Sequence, residues 1–129
     1  MAKILVADDV EDVGLILSER LRRGGHEVVC AADGNIAVNM LEQSKFDLAI
    51  LDIRMPGRDG FDVCAWIRNS PVHKLMPVVL MSAFSEEQSR WKKSAANLFL
   101  AKPFDGYQLL DVVKRLLDAP GSAAQQEAG

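Results

Sequence analysis

Asp52 closes the mostly apolar run Phe46-Asp47-Leu48-Ala49-Ile50-Leu51 and is followed at once by Ile53-Arg54-Met55-Pro56-Gly57. A buried strand that ends in a carboxylate and breaks into a Pro-Gly loop places that carboxylate on the rim of a sheet. Other strand-like runs end in groups that could join it. Asp8 and Asp9 follow Ile4-Leu5-Val6-Ala7, Ser82 follows Val78-Val79-Leu80-Met81, and Lys102 follows Leu98-Phe99-Leu100-Ala101. Three neighbouring carboxylates repel one another, so either some are protonated or a cation joins them. An all-oxygen donor set without His or Cys favours a hard cation, Mg2+ foremost. A carboxylate, a divalent ion, a hydroxyl and a lysine together suit phosphoryl transfer onto the carboxylate, giving an acyl phosphate. Such transfer is mostly positioning and charge neutralisation. The metal and the lysine would neutralise the phosphoryl oxygens, and the serine hydroxyl could hydrogen-bond one of them.

Each residue also has a plainer role. Asp8 or Asp9 could cap a helix, and Asp52 could shape the turn before Pro56-Gly57. Lys102 could lie along the surface, and Ser82 could be an ordinary strand-end hydroxyl. The coincidence of compatible groups at four strand ends favours a cluster.

The elements that must position these residues alternate along the chain. Strands are expected at 3–7, 27–32, 47–51, 77–81 and 98–101, and helices at 12–23, 36–43, 62–68, 86–95 and 106–117. In the first helix Val13, Ile16, Leu17 and Leu21 recur at helical spacing and read as the core stripe. Near-continuous apolar strands imply a parallel sheet covered on both faces. Right-handed crossovers then give an α/β, doubly wound, five-stranded sheet with five helices. Functional groups in such sheets gather at the carboxyl ends of the strands, near the point where strand order reverses. Asp8, Asp9, Asp52, Ser82 and Lys102 all fall at carboxyl ends.

The bulk composition excludes several classes. A chain of 129 residues suits one domain. With a net charge of −3, its overall field does not attract nucleic acid or anionic membrane. No apolar run is long enough to span a bilayer, and Met1-Ala2-Lys3 leads straight into a strand, so a cytoplasmic location is expected. Cys30 and Cys64 lack metal-ligand spacing and read as two buried thiols. Residues 1–118 form the expected domain. Residues 119–129, rich in Ser, Ala, Gln and Gly, read as a disordered tail or the start of a linker.

Four blocks carry a resemblance. They are Ile4-Leu5-Val6-Ala7-Asp8-Asp9; Leu51-Asp52-Ile53-Arg54-Met55-Pro56-Gly57-Arg58-Asp59-Gly60; Met81-Ser82-Ala83; and Lys102-Pro103-Phe104. Over residues 3–118 the chain resembles the receiver domain of two-component response regulators, of the chemotaxis-regulator type, with a flavodoxin-like fold. The resemblance implies that Asp52 is the phosphoacceptor and that Asp9 and Asp52 ligate Mg2+. It adds the Arg54 carbonyl as a third ligand and Asp8 through water. It gives Ser82 and Lys102 the phosphoryl contacts and implies a cis bond before Pro103. Phe99 is then the switch aromatic, moving as Ser82 is drawn toward the phosphoryl group; its plainer role is core packing. The donor would be a phosphohistidine on a sensor histidine kinase or phosphotransfer protein. The output would be a downstream protein or an effector domain, reached through the fourth helix, fifth strand and fifth helix. A homodimer is compatible with the same resemblance, and no direct nucleic-acid contact is implied.

Some residues depart from the family pattern. Ala95-Ala96 replaces the usual Gly-Ala, which predicts a reshaped or extended end to the fourth helix. Trp91 reads as core filler in preference to a partner anchor, and Arg90, Lys92 and Lys93 as a solvated face. Arg54 and Phe84, two residues after Asp52 and Ser82, flank the expected phosphoryl position and predict a long-lived phosphorylated state. Arg54 also stands where aspartyl-phosphate phosphatases need a second Asp for acid-base work, which disfavours that class. A flavin binder needs donors after the first strand, whereas Asp8-Asp9-Val10-Glu11-Asp12 would repel a phosphate. A degenerate receiver that only binds is disfavoured by the intact cluster.

Overall fold

A computed structural model describes residues 2–118 and the backbone of 126–127. The expected alternation is present. Strands β1 (Lys3–Ala7), β2 (Glu27–Ala31), β3 (Leu48–Asp52), β4 (Val78–Ser82) and β5 (Leu98–Ala101) alternate with helices α1 (Glu11–Arg23), α2 (Gly34–Gln43), α3 (Gly60–Arg68), α4 (Ser85–Arg90) and α5 (Gly106–Asp118). All strands are parallel, in the order β2-β1-β3-β4-β5, and a two-residue strand β6 (Gln126–Glu127) pairs beyond β5. That edge pairing is an addition to the five expected strands. The rest of the expected tail lies outside the described residues.

The sheet is apolar on both faces because successive side chains point to opposite sides. Leu5, Ala7, Ala49 and Leu51 pack with residues of α2 and α3, while Ile4, Val6, Leu48 and Ile50 pack with α1 and α5. Each fully buried aliphatic side chain stabilises the fold by about 1.5–3 kcal/mol. Asp33 caps α2 by accepting from the Ile36 N–H at 2.8 Å. Asp59 and Asp62 form a reciprocal capping box at α3. By contrast, Val10 and Phe84 occupy the capping positions before α1 and α4, and neither makes a side-chain cap. Asp8 and Asp9 are therefore not helix caps.

Three expectations are corrected. The fourth helix does not run to residue 95. It ends at Arg90 and tightens into a 3-10 turn, Trp91–Lys93. The Ser94 hydroxyl donates to the Trp91 carbonyl and accepts from the Ala96 N–H, so a serine finishes the turn without a glycine. No described non-glycine residue has positive φ, so Ala95-Ala96 reshapes the helix end without strain. In α1, Ile16 is 56% exposed; the buried stripe is Gly14, Leu17, Ser18 and Leu21, centred roughly 150° away around the helix. Of the two thiols, Cys64 is buried but Cys30 is exposed, with its Sγ 2.6 Å from the Ser18 hydroxyl. Its strand lies at the sheet edge, where one neighbour is missing. Trp91 is core filler, as expected, and stacks on Phe99 with ring centroids 6.1 Å apart.

Two polar side chains close the end of the sheet remote from the acidic residues. Arg68 donates to the carbonyls of Lys74, Met76 and Ala95 and to the Asn97 side chain. His73 is buried, and its Nε2 accepts from the Phe46 N–H at 3.1 Å. Burial, and secondarily the charge of Lys45, lowers the His73 pKa below its ordinary 6.5. Protonation would set two donors against each other. The unfolded chain therefore binds this proton more readily, and stability rises with pH through the window just below 6.5. Melting temperature is expected to fall on acidification from pH 7 to 5 more steeply in the wild type than in His73→Gln, whose amide oxygen can still accept. Parallel pH profiles would contradict this role.

Candidate functional site

Register builds the site. β1 and β3 are adjacent, with Ala7 beside Leu51, so Asp8 and Asp52 emerge at one level. β3 pairs Asp52 with Met81, and β4 pairs Ser82 with Ala101, which brings Ser82 and Lys102 to the same rim. Ligand atoms of Asp8, Asp9 and Asp52 all lie within 4.8 Å of one another. At that separation two charges repel by roughly 3 kcal/mol at an effective dielectric of about 20.

Lys102 offsets this repulsion. Its Nζ lies 2.8 Å from Asp8 Oδ2 and 3.1 Å from Asp52 Oδ2, so one ammonium bridges both buried carboxylates. Burial pushes the Asp52 pKa up, Lys102 pulls it down, Asp8 pushes it up again, and the net direction is upward. Burial opposes the charge on Lys102, but the two carboxylates outweigh it and raise the ammonium above 10.5. Asp8 Oδ1 also accepts from the Val10 N–H at 2.9 Å, and Asp52 Oδ1 accepts from the Arg54 N–H at 3.3 Å. Asp9 is exposed and completes an open, all-oxygen face that suits a hard divalent cation.

The remaining expected residues surround this centre. Ser82 is buried and accepts from the Phe84 N–H at 3.1 Å. The Lys102–Pro103 bond is cis. Phe99 is buried against Trp91 on the α3 face of the sheet. Arg54 and Phe84 meet: the guanidinium carbon sits 3.7 Å from the ring centroid. Arg54 is further held by Glu86, 2.9 Å from Nη2, and by Glu87, 3.0 Å from Nε. Glu86 and Glu87 were not legible as site residues. Their helix carries only a weak apolar pattern, and nothing in the local sequence links position 87 to position 54. Arg90 is exposed, as expected of a solvated face, and also pairs with Glu87 and lies over the Phe61 ring.

The model of the response regulator receiver domain matches residues 4–114. Among solved structures, the chain is similar to the chemotaxis response regulator CheY4 of Vibrio cholerae, at 32% identity, TM-score 0.85, covering 91% of this chain and 99% of that one. It is similar to the response regulator TrrA of Thermotoga maritima, solved in complex with Mg(2+)-BeF, at 35% identity, TM-score 0.83, covering 91% and 100%. It also resembles the signal receiver domain of a signal transduction histidine kinase from Syntrophus aciditrophicus, at 30% identity, TM-score 0.86, covering 92% and 91%. With the family model spanning most of its length and the acidic cluster at the expected sheet edge, the chain belongs to the response regulator receiver domain family.

Proposed function

We propose that this domain is a signalling switch that takes a phosphoryl group from a phosphohistidine onto Asp52. The observation that carries the reading is the Lys102 bridge to Asp8 and Asp52 beside the exposed Asp9 carboxylate. An Asp52 oxygen attacks phosphorus, the P–N bond breaks, and the imidazole of the donor leaves. Lys102 can follow the charge from Asp52 to a phosphoryl oxygen, and the Ser82 hydroxyl can donate to another. Asp8, Asp9, Asp52 and the Arg54 carbonyl would hold Mg2+, which supplies charge neutralisation when bound. The relative solved with Mg(2+)-BeF supports that choice of ion.

A histidine kinase or phosphotransfer protein is the proposed donor. Its histidine must reach a rim that exposes Val10, Ile16 and Phe84. The output partner, a separate protein or an effector domain, would read the surface of α4, β5 and α5. Phosphorylation adds about 1.5 to 2 negative charges and shifts the population only through contacts that differ between the two states. Phe99 is the proposed moving ring; its stacking on Trp91 links that ring to the end of α4. Arg54 and Phe84 form a joined wall beside the acceptor, which supports a slow hydrolysis of the acyl phosphate.

Incubation with Mg2+ and a small acyl-phosphate donor should add one phosphoryl group by intact mass, and Asp52→Asn should add none. An unmodified wild type would overturn the reading, and a modified variant would overturn the site. In melting experiments Mg2+ should stabilise the wild type by about 2.7 kcal/mol at a hundredfold excess over Kd. Asp9→Asn should lose most of that gain; an equal gain in the variant would remove Asp9 from the ligand set. Arg54→Ala and Phe84→Ala should each shorten the half-life of the labelled protein. Unchanged decay would remove the shielding.

A further inference from the structure

We infer that Glu87 is a positioning residue: its buried carboxylate clamps Arg54 against Phe84 and thereby sets how long a phosphoryl group survives on Asp52. The inference rests on the phosphoacceptor reading and extends it to a residue with no contact to the reacting atoms. The Glu87 side chain is only 4% exposed. A carboxylate so buried needs compensation. Two cations supply it: Arg54 Nε at 3.0 Å from Oε1 and Arg90 Nη1 at 3.2 Å from Oε2. The arrangement fixes Arg54 more than it fixes Glu87. Arg54 is half-exposed, and an unrestrained arginine at such a place would sample many rotamers. Here three contacts restrain it: Glu87 on Nε, Glu86 on Nη2 and the Phe84 ring under the guanidinium.

Glu87 is itself well placed to hold this position. It lies in the first turn of α4, and its N–H donates to the Phe84 carbonyl at 3.1 Å, so clamp and ring belong to one rigid turn. Arg54, Glu87, Arg90, Met55 and Phe61 wall a cleft that opens beside Asp9. Hydrolysis requires a water to attack phosphorus, the P–O bond to Asp52 to break, and the carboxylate to leave with the electron pair. The water's proton passes to the departing phosphate or to solvent. With its guanidinium neutralised by two carboxylates, Arg54 acts as part of the wall that limits this water. Releasing it opens the wall.

The test is the decay of labelled protein, loaded from a small acyl-phosphate donor with Mg2+, in the wild type, Arg54→Ala, Glu87→Gln and the double variant. Glu87→Gln and Arg54→Ala should each shorten the half-life by about three- to tenfold, and the double variant should match Arg54→Ala alone, since contacting residues are not additive. A purely structural Glu87 would multiply the two effects. That result, or an unchanged half-life in Glu87→Gln, overturns the inference. Should Glu87→Gln fail to fold, Arg54→Lys decides, because an ammonium cannot reproduce the planar fork and its stacking. Its half-life should fall toward that of Arg54→Ala, and a wild-type half-life overturns the clamp. A wild type that takes up no label overturns the phosphoacceptor reading, and the clamp with it. A labelled wild type with an indifferent Glu87→Gln overturns the clamp alone.

Discussion

The site depends on one ammonium placed between two buried carboxylates. Lys102 bridges Asp8 and Asp52 at 2.8 and 3.1 Å. Asp9 leaves a third carboxylate within reach of the pair. Removing the lysine would leave Asp8 and Asp52 repelling each other in a place that water screens poorly. Keeping it creates a mobile balance of charge. On the proposed reading, the lysine follows negative charge from the carboxylate to the group it acquires, and a hard cation takes the open oxygen face.

That placement is a product of topology. Lys102 and Asp8 are 94 positions apart in the chain and meet because parallel strands bring their carboxyl ends to one edge. The order β2-β1-β3-β4-β5 reverses direction between β1 and β3, which opens a crevice at the ends of those two strands. Of the helices that begin at this edge, α1 and α4 lack side-chain caps; Asp8 and Asp52 instead accept from the Val10 and Arg54 N–H groups and from Lys102. Glycines allow the neighbouring loop to close in. A Cβ on Gly60 would meet the Asp52 carbonyl at 2.7 Å, and Gly57 takes a φ of 78°.

The strands were readable because each is a nearly unbroken apolar run ended by a polar or turn residue, a pattern that does not depend on distant partners. Asp52, Asp8 and Lys102 were readable for the same reason: their meaning comes from their place at strand ends. The end of α4 was less so. Its stop is made by the Ser94 hydroxyl and the burial of Trp91 under Phe99, contacts that depend on tertiary packing. Ile16 shows the limit of periodicity, since it and Leu17 both fit a helical stripe and only packing selects Leu17. The tie from Arg54 to Glu87 spans 33 positions between a loop and a short helix, and no spacing rule encodes it.

The most direct measurement is a crystal structure grown with Mg2+ and beryllofluoride, the pair of ligands carried by the Thermotoga maritima relative. The expected structure has beryllium bonded to an Asp52 oxygen, with Lys102 Nζ and Ser82 Oγ turned to its fluorides. Mg2+ is expected between Asp9 and Asp52. A structure from the same conditions in which Asp52 carries no adduct and Lys102 still bridges Asp8 and Asp52 would contradict the phosphoacceptor reading.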